Sequence, residues 1–158
     1  MRNLIEWTNE LSVGIQEIDE QHKILVDLLN RLHEAIITRH EKDVIGGILS
    51  ELIQYTIVHF AVEESLMRIF DYPDYEEHKR HHAELTGEVF KFQEKISKGE
   101  LTAENSGASM ELWKFLRKWL TEHILVDDKK YSPFLLQRGL KASWSKKSSW
   151  IGKKIWGN

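Results

Sequence analysis

The chain has 158 residues, 30% of them charged and 41% hydrophobic, an ordinary globular composition in a length that fits one domain. The absence of cysteine excludes disulfides, thiolate zinc sites, iron–sulfur clusters and a cysteine nucleophile; no apolar run approaches the ~20 residues of a membrane span, and no secretory signal opens the chain, so the cytoplasm is the expected location. The net charge of −3 hides an asymmetry: all 25 acidic residues lie in 1–128, which carry −11, while residues 129–158 hold eight Lys and Arg and no acid, giving +8.

Residues 1–18 show no sustained helical period, and Trp7, Leu11, Val13 and Ile15 read as an extended arm laid on a core. Asp19 reads as an N-cap. Leu25, Leu28, Leu29, Leu32, Ala35 and Ile36 then follow at helical spacing, predicting a helix over 19–38. A polar turn leads to a second helix over 43–70, with Ile45, Leu49, Leu52, Ile53, His59, Phe60, Glu63 and Met67 along one stripe. Asp71-Tyr72-Pro73 ends it.

A third helix over 74–97 carries Tyr75, His78, His82, Leu85, Val89 and Phe92. After a polar connection at 98–107, a fourth helix over 108–126 carries Leu112, Trp113, Leu116, Leu120, His123 and Ile124. Pro133 and Gly139 bound a short apolar stretch, Tyr131 to Leu136. No segment alternates with period two. The pattern predicts an all-α, antiparallel, up-down-up-down four-helix bundle over residues 1–136, with an extended N-terminal arm and a basic C-terminal extension over 137–158.

Two pairs spaced i,i+4 stand out: His59 with Glu63, and His78 with His82. In an antiparallel bundle the start of the first helix, the end of the second, the start of the third and the end of the fourth share one end. His22, His59, Glu63, His78, His82 and His123 all fall in that layer, with Asp127 and Asp128 just beyond. A single histidine on an apolar face is ordinarily a buried, hydrogen-bonded core residue. Five imidazoles and two acids in one layer need a cation, because buried polar groups need partners.

That donor set exceeds the four ligands zinc usually takes, and imidazole with carboxylate but no thiolate suits iron or manganese. Two six-coordinate ions sharing two bridging carboxylates and one bridging oxygen need about twelve positions; five nitrogens, four carboxylate oxygens and the shared oxygen counted twice fill about eleven. One position stays open, a place for a diatomic ligand. Carboxylate-rich di-iron enzymes typically use about four Glu and two His, the reverse balance.

Four stretches carry a resemblance: WTNELSVGIQEIDEQH at 7–22, HFAVEESLM at 59–67, YPDYEEHKRHH at 72–82 and WLTEHILVDDKKYSPF at 119–134. In order and spacing, over about residues 1–136, the chain resembles the hemerythrins, in particular the single-domain bacterial members. The resemblance implies reversible binding of dioxygen at a non-heme di-iron centre, two iron ions joined by an oxo or hydroxo bridge. It implies that His78, His82 and His123 hold one iron, that His22 and His59 hold the other, which has the open site, and that Glu63 and Asp128 bridge. Regular helix geometry favours Asp127, at i+4 from His123, over Asp128 at i+5. The resemblance favours Asp128, which requires the helix to end or loosen there.

Leu25, Phe60, Leu120 and Val126 lie near these ligands in sequence and are expected to wall the oxygen pocket, although ordinary core packing accounts for them equally. His33, His40 and His81 read as non-ligands, and Glu64 as solvent-facing or behind the ligands. Beyond the resemblance, Trp144, Trp150 and Trp156 recur every six residues with lysines between. Residues 139–158 therefore read as a contact for a membrane surface or a protein, against disordered chain as the simpler alternative. Nucleic acid is not an expected partner of so acidic a body, and a monomer is expected. Three functions compete at this point: oxygen storage, delivery or sensing without catalysis; a di-iron enzyme processing nitric oxide, peroxide or oxygen with electrons from a partner; and a tethered structural module. The histidine-rich set, the single vacancy and the apolar walls favour the first.

Overall fold

The computed structural model describes residues 5–38, 42–98 and 106–143. The helices are α1 (Gln16–Ile37), α2 (Lys42–Ile69), α3 (Tyr75–Ser97), α4 (Ser106–Glu122) and α5 (Lys129–Gln137), with a π-helical turn, His123–Asp128, joining α4 to α5. They form the expected bundle around a core that includes Ile18, Leu32, Ile36, Leu49, Leu112 and Trp113. The Trp113 indole N–H donates to the Leu29 carbonyl at 2.9 Å, pinning α4 to α1. His33, too far from the histidine layer to join it, is buried against the Trp113 ring instead.

The arm departs from a plain extended strand by one 3-10 turn, Asn9–Leu11, and buries Ile5, Leu11, Val13 and Ile15. The first helix starts three residues earlier than its sequence predicts. Asp19 is not its N-cap; Ile15 occupies that position, and the Asp19 N–H bonds to the Ile15 carbonyl at 2.9 Å. The Asp19 carboxylate reaches back instead, accepting from the Val13 N–H at 2.8 Å and from the Ser12 hydroxyl. An acid in the first helical turn therefore clamps the arm onto the helix it precedes, and also suits the positive end of the helix dipole.

Two helix ends use a left-handed residue. After α2, Asp71 adopts φ 57° and the Tyr72 N–H reaches back to the Met67 carbonyl at 2.8 Å. After α5, Gly139 adopts φ 109°, the Gly139 N–H bonds to the Leu136 carbonyl, and the Leu140 N–H bonds to the Leu135 carbonyl. Both are Schellman closures, with the following apolar residue folded onto the core. Pro133, read from sequence as a boundary, lies inside α5.

The closure at Gly139 turns the chain back to the start of α1. The Gln16 N–H, an orphan donor of the first helical turn, finds the Ala142 carbonyl at 2.7 Å, and the Ser143 hydroxyl donates to Glu17 at 2.9 Å. The Trp/Lys pattern at Trp144, Trp150 and Trp156, and His40, lie outside the described residues. Contrary to the sequence expectation, Val44–Ile69 is long and apolar enough to pass for a membrane span by length and composition. The reason is visible in the bundle: this stretch of α2 puts Ile45, Leu49, Leu52, Ile53, Phe60 and Met67 into the core while also exposing Val44, Ile57, Val58 and Ile69.

Candidate metal centre

Seven side chains meet at one end of the bundle, all at most 4% exposed: His22 from the second turn of α1, His59 and Glu63 from α2, His78 and His82 from the start of α3, and His123 and Asp128 from the π turn. Their ligand atoms form two groups that share Glu63. Those of Glu63, His78, His82 and His123 lie within 4.8 Å of one another, as do those of His22, His59, Glu63 and Asp128.

Each carboxylate turns one oxygen to each group. Asp128 Oδ2 is 3.0 Å from His22 Nε2, while its Oδ1 is 3.2 Å from His78 Nε2 and 3.0 Å from His123 Nε2. Glu63 Oε2 is 3.4 Å from His59 Nε2, while its Oε1 is 3.2 Å from His82 Nε2. Each carboxylate could therefore be shared between two cations.

The π turn makes it possible. A π turn takes more residues per revolution than an α turn. Asp128, at i+5, therefore comes round to the His123 face and enters the cluster. Asp127 goes to the other side of the same ring, its Oδ2 lying 3.2 Å from His123 Nδ1 and 3.1 Å from His81 Nδ1. The same change of pitch corrects one expectation: Val126, at i+3, swings away from the His123 face, is 57% exposed and walls nothing.

Without cations the cluster is frustrated. The Nε2 atoms of His22, His59 and His78, Glu63 Oε1 and both Asp128 oxygens are buried with no hydrogen-bond partner among the described residues. His82 Nε2 and His123 Nε2 face each other at 3.0 Å. Each unsatisfied buried group costs about 1–3 kcal/mol. Two ligands each ~2.1 Å from one ion and at right angles are ~3.0 Å apart, so the observed spacings suit shared ions.

A ring of outer contacts orients the imidazoles. Gln21 Oε1 accepts from His59 Nδ1 at 2.6 Å, Glu64 Oε2 lies 2.8 Å from His82 Nδ1, and the Tyr131 hydroxyl donates to Glu63 Oε2 at 2.6 Å. With Nδ1 carrying the proton, Nε2 keeps its lone pair for a metal. Phe60 stacks flat on His82 at 3.6 Å, and Trp119 stacks on His123 at 4.4 Å. The sequence reading passed over Gln21 and Tyr131. Gln21 adjoins a ligand in sequence, and Tyr131 was placed in an apolar stretch; only the fold brings them to the centre.

Burial opposes protonation of His22 and His78, but Asp128 and Glu63 beside them more than offset it, raising both to about 9. Burial likewise opposes protonation of His123, yet Asp128 and Asp127 hold it well above its ordinary value. Burial pushes Glu63 up, while His59, His123 and His22 hold it well below the usual carboxylate range. Protons and cations would therefore compete for the same buried nitrogens.

Metal uptake near pH 7 is expected to release about two or more protons per chain, with affinity rising until about pH 9, because metals bind deprotonated imidazole. Indicator-dye titration of the metal-free protein with zinc checks this. The stability of that form follows the same groups. Because the folded-state pKa values of His22 and His78 are raised from 6.5 to about 9, their contribution is complete below pH ~6.5 and is lost by about pH 9. Melting temperature should fall across that window in the metal-free protein and hold steady in the loaded one.

The four bundle helices also enclose an apolar cavity of about 30 Å³, lined by neighbours of the histidines in sequence and by none of the seven candidate ligands themselves. A single water needs ~10–15 Å³, so a diatomic gas fits. Every helix of the bundle contributes one wall residue three positions from a histidine: Leu25, Thr56, Leu85 and Leu120. Of the four expected pocket residues, Leu25, Phe60 and Leu120 line it.

The sequence profile of the hemerythrin HHE cation binding domain matches residues 13–135. The chain belongs to the hemerythrin family. It is similar to bacteriohemerythrin of Stenotrophomonas maltophilia, 36% identical over 129 residues that cover 82% of this chain and 80% of that protein. It is also similar to bacteriohemerythrin of Methylococcus capsulatus, 35% identical over 133 residues that cover 84% of this chain and 97% of that protein. A crystal structure of wild-type hemerythrin superposes with a TM-score of 0.73 at 33% identity, covering 84% of this chain and 98% of that one. Family membership and the buried donor groups together make this a di-iron, dioxygen-binding protein.

Proposed function

We propose that the protein binds dioxygen reversibly, as a store, carrier or sensor element, and does not consume it. In this reading His78, His82 and His123 hold one iron, His22 and His59 hold the other, and Glu63 and Asp128 bridge. Two irons held there would supply the redox chemistry that reversible binding of dioxygen needs. The His22/His59 position has one imidazole fewer and would be the one with room for a further ligand.

The observation that carries the reading is the chemistry of the cavity wall. Among the described residues, none that lines the cavity carries an ionisable side chain. The only hydroxyls, on Thr56 and Thr86, donate to the backbone carbonyls of Leu52 and His82 at 2.6 and 2.9 Å. Reduction of oxygen to water or peroxide needs protons delivered to the ligand, and this wall offers no side chain free to deliver them. An apolar wall beside the ligands would also limit access of water to a bound gas, which slows irreversible oxidation. Ile57, 46% exposed, is among the wall residues, so the wall reaches the protein surface and a gas has a short path in.

Iron-loaded protein, reduced anaerobically and then exposed to air, should develop a visible charge-transfer band that vanishes on deoxygenation and returns over repeated cycles. Immediate irreversible bleaching, with steady consumption of an added reductant, would establish the enzyme alternative instead.

A further inference from the structure

The two metal positions differ in what stands behind their imidazoles. Carboxylates back the His78/His82/His123 position: Glu64 Oε2 is 2.8 Å from His82 Nδ1, and Asp127 Oδ2, shared with His81, is 3.2 Å from His123 Nδ1. A neutral amide backs the other position, with Gln21 Oε1 2.6 Å from His59 Nδ1. His22 Nδ1, fully buried, has no hydrogen-bond partner among the described residues. An acceptor behind a ligating histidine raises its basicity, and an anionic acceptor does so more than an amide. A more basic imidazole favours the higher oxidation state of the ion it holds.

We propose that Glu64 and Gln21 set the two iron positions at different reduction potentials, so that the His78/His82/His123 iron gives up its electron first and the His22/His59 iron, backed by the amide, stays ferrous longest. Glu64 and Gln21 are positioning residues; they act only through His82 and His59. The inference rests on the ligand assignment proposed above. It makes the half-oxidised pair a defined species, with the remaining ferrous ion at the His22/His59 position. Had a carboxylate stood at position 21, that iron would be drawn toward the ferric state with no gas bound.

Iron-loaded wild type, Gln21→Glu and Glu64→Gln, oxidised stepwise and anaerobically by ferricyanide with redox mediators, test this. Each ferricyanide removes one electron from one iron, and the half-oxidised pair is followed by its electron paramagnetic resonance signal. Gln21→Glu should lower the potential of the second step and Glu64→Gln should raise that of the first. Each change narrows the interval and reduces the stability constant of the half-oxidised form by ~10-fold or more, ~59 mV per tenfold. Equal movement of both steps in Gln21→Glu, or movement of the first alone, overturns the proposal.

Cobalt(II) titration of the metal-free variants gives a readout without redox chemistry. Gln21→Glu should tighten one of two binding events by ~10-fold and leave the other unchanged. Two events tightened equally refute the inference while leaving the ligand assignment intact. A wild type that takes up only one ion refutes the assignment, and the inference with it.

Discussion

Glu63→Ala is expected to empty both metal positions. Glu63 is fully buried and is the one residue common to both ligand groups. One of its oxygens faces His22 and His59, the other His78, His82 and His123. Alanine would remove a ligand from each ion and cancel a charge that offsets both. Loss of an outer partner of a metal ligand typically costs 10–100-fold in affinity, so loss of a shared ligand should exceed ~100-fold. Iron content by elemental analysis should fall from about two per chain toward zero. Asp127→Ala supplies the contrast: Asp127 touches only the outer nitrogens of His123 and His81, so both irons should remain, held less tightly. If Asp127→Ala lost its iron and Asp128→Ala kept it, the bridging assignment would be wrong.

The second large effect concerns the fold rather than the metal. Trp113 is fully buried, donates its indole N–H to the Leu29 carbonyl, packs on His33 and lies beneath the Arg117 guanidinium. Trp113→Ala should cost about 3–5 kcal/mol, the range for deleting a large aromatic from a close-packed core. Whole domains hold only about 5–15 kcal/mol, so the variant would sit near its unfolding threshold. Urea denaturation should show a much lower midpoint with an unchanged slope. Trp113 lies more than two α-helical turns from His123 along the chain, so iron content at low temperature should be retained.

Much of the architecture could be read from the chain because the determining signals are periodic. The stripe of leucines through Leu25, Leu29 and Leu32 and the i,i+4 pairs at His59/Glu63 and His78/His82 need only helix geometry to be placed, and antiparallel packing then sets them at one height. Non-local contacts escaped. Asp19 carries a capping residue's chemistry, but its partners, Ser12 and Val13, are set by how the arm folds back. Tyr131 reaches Glu63 across 68 positions of sequence. The π turn escaped for another reason: no local propensity marks it, and only the requirement that Asp128 face His123 hinted at it. Nearness to His123 in sequence is what points to Val126 as a wall residue, and the π turn carries it outward instead.

That turn has a consequence for how the molecule can change. It inserts a phase offset between α4 and α5, so every residue after Asp128 keeps its inward or outward aspect only while the offset is present. Relaxation to uniform α pitch at the present length would rotate Tyr131, Ser132 and Leu135 out of the interior together and bring Asp127 round in place of Asp128, whereas removing one residue from 124–126 would put Asp128 at i+4 and keep it on the His123 face. Substitutions along this stretch act one side chain at a time; a change of pitch between His123 and Asp128 acts on all of α5 at once.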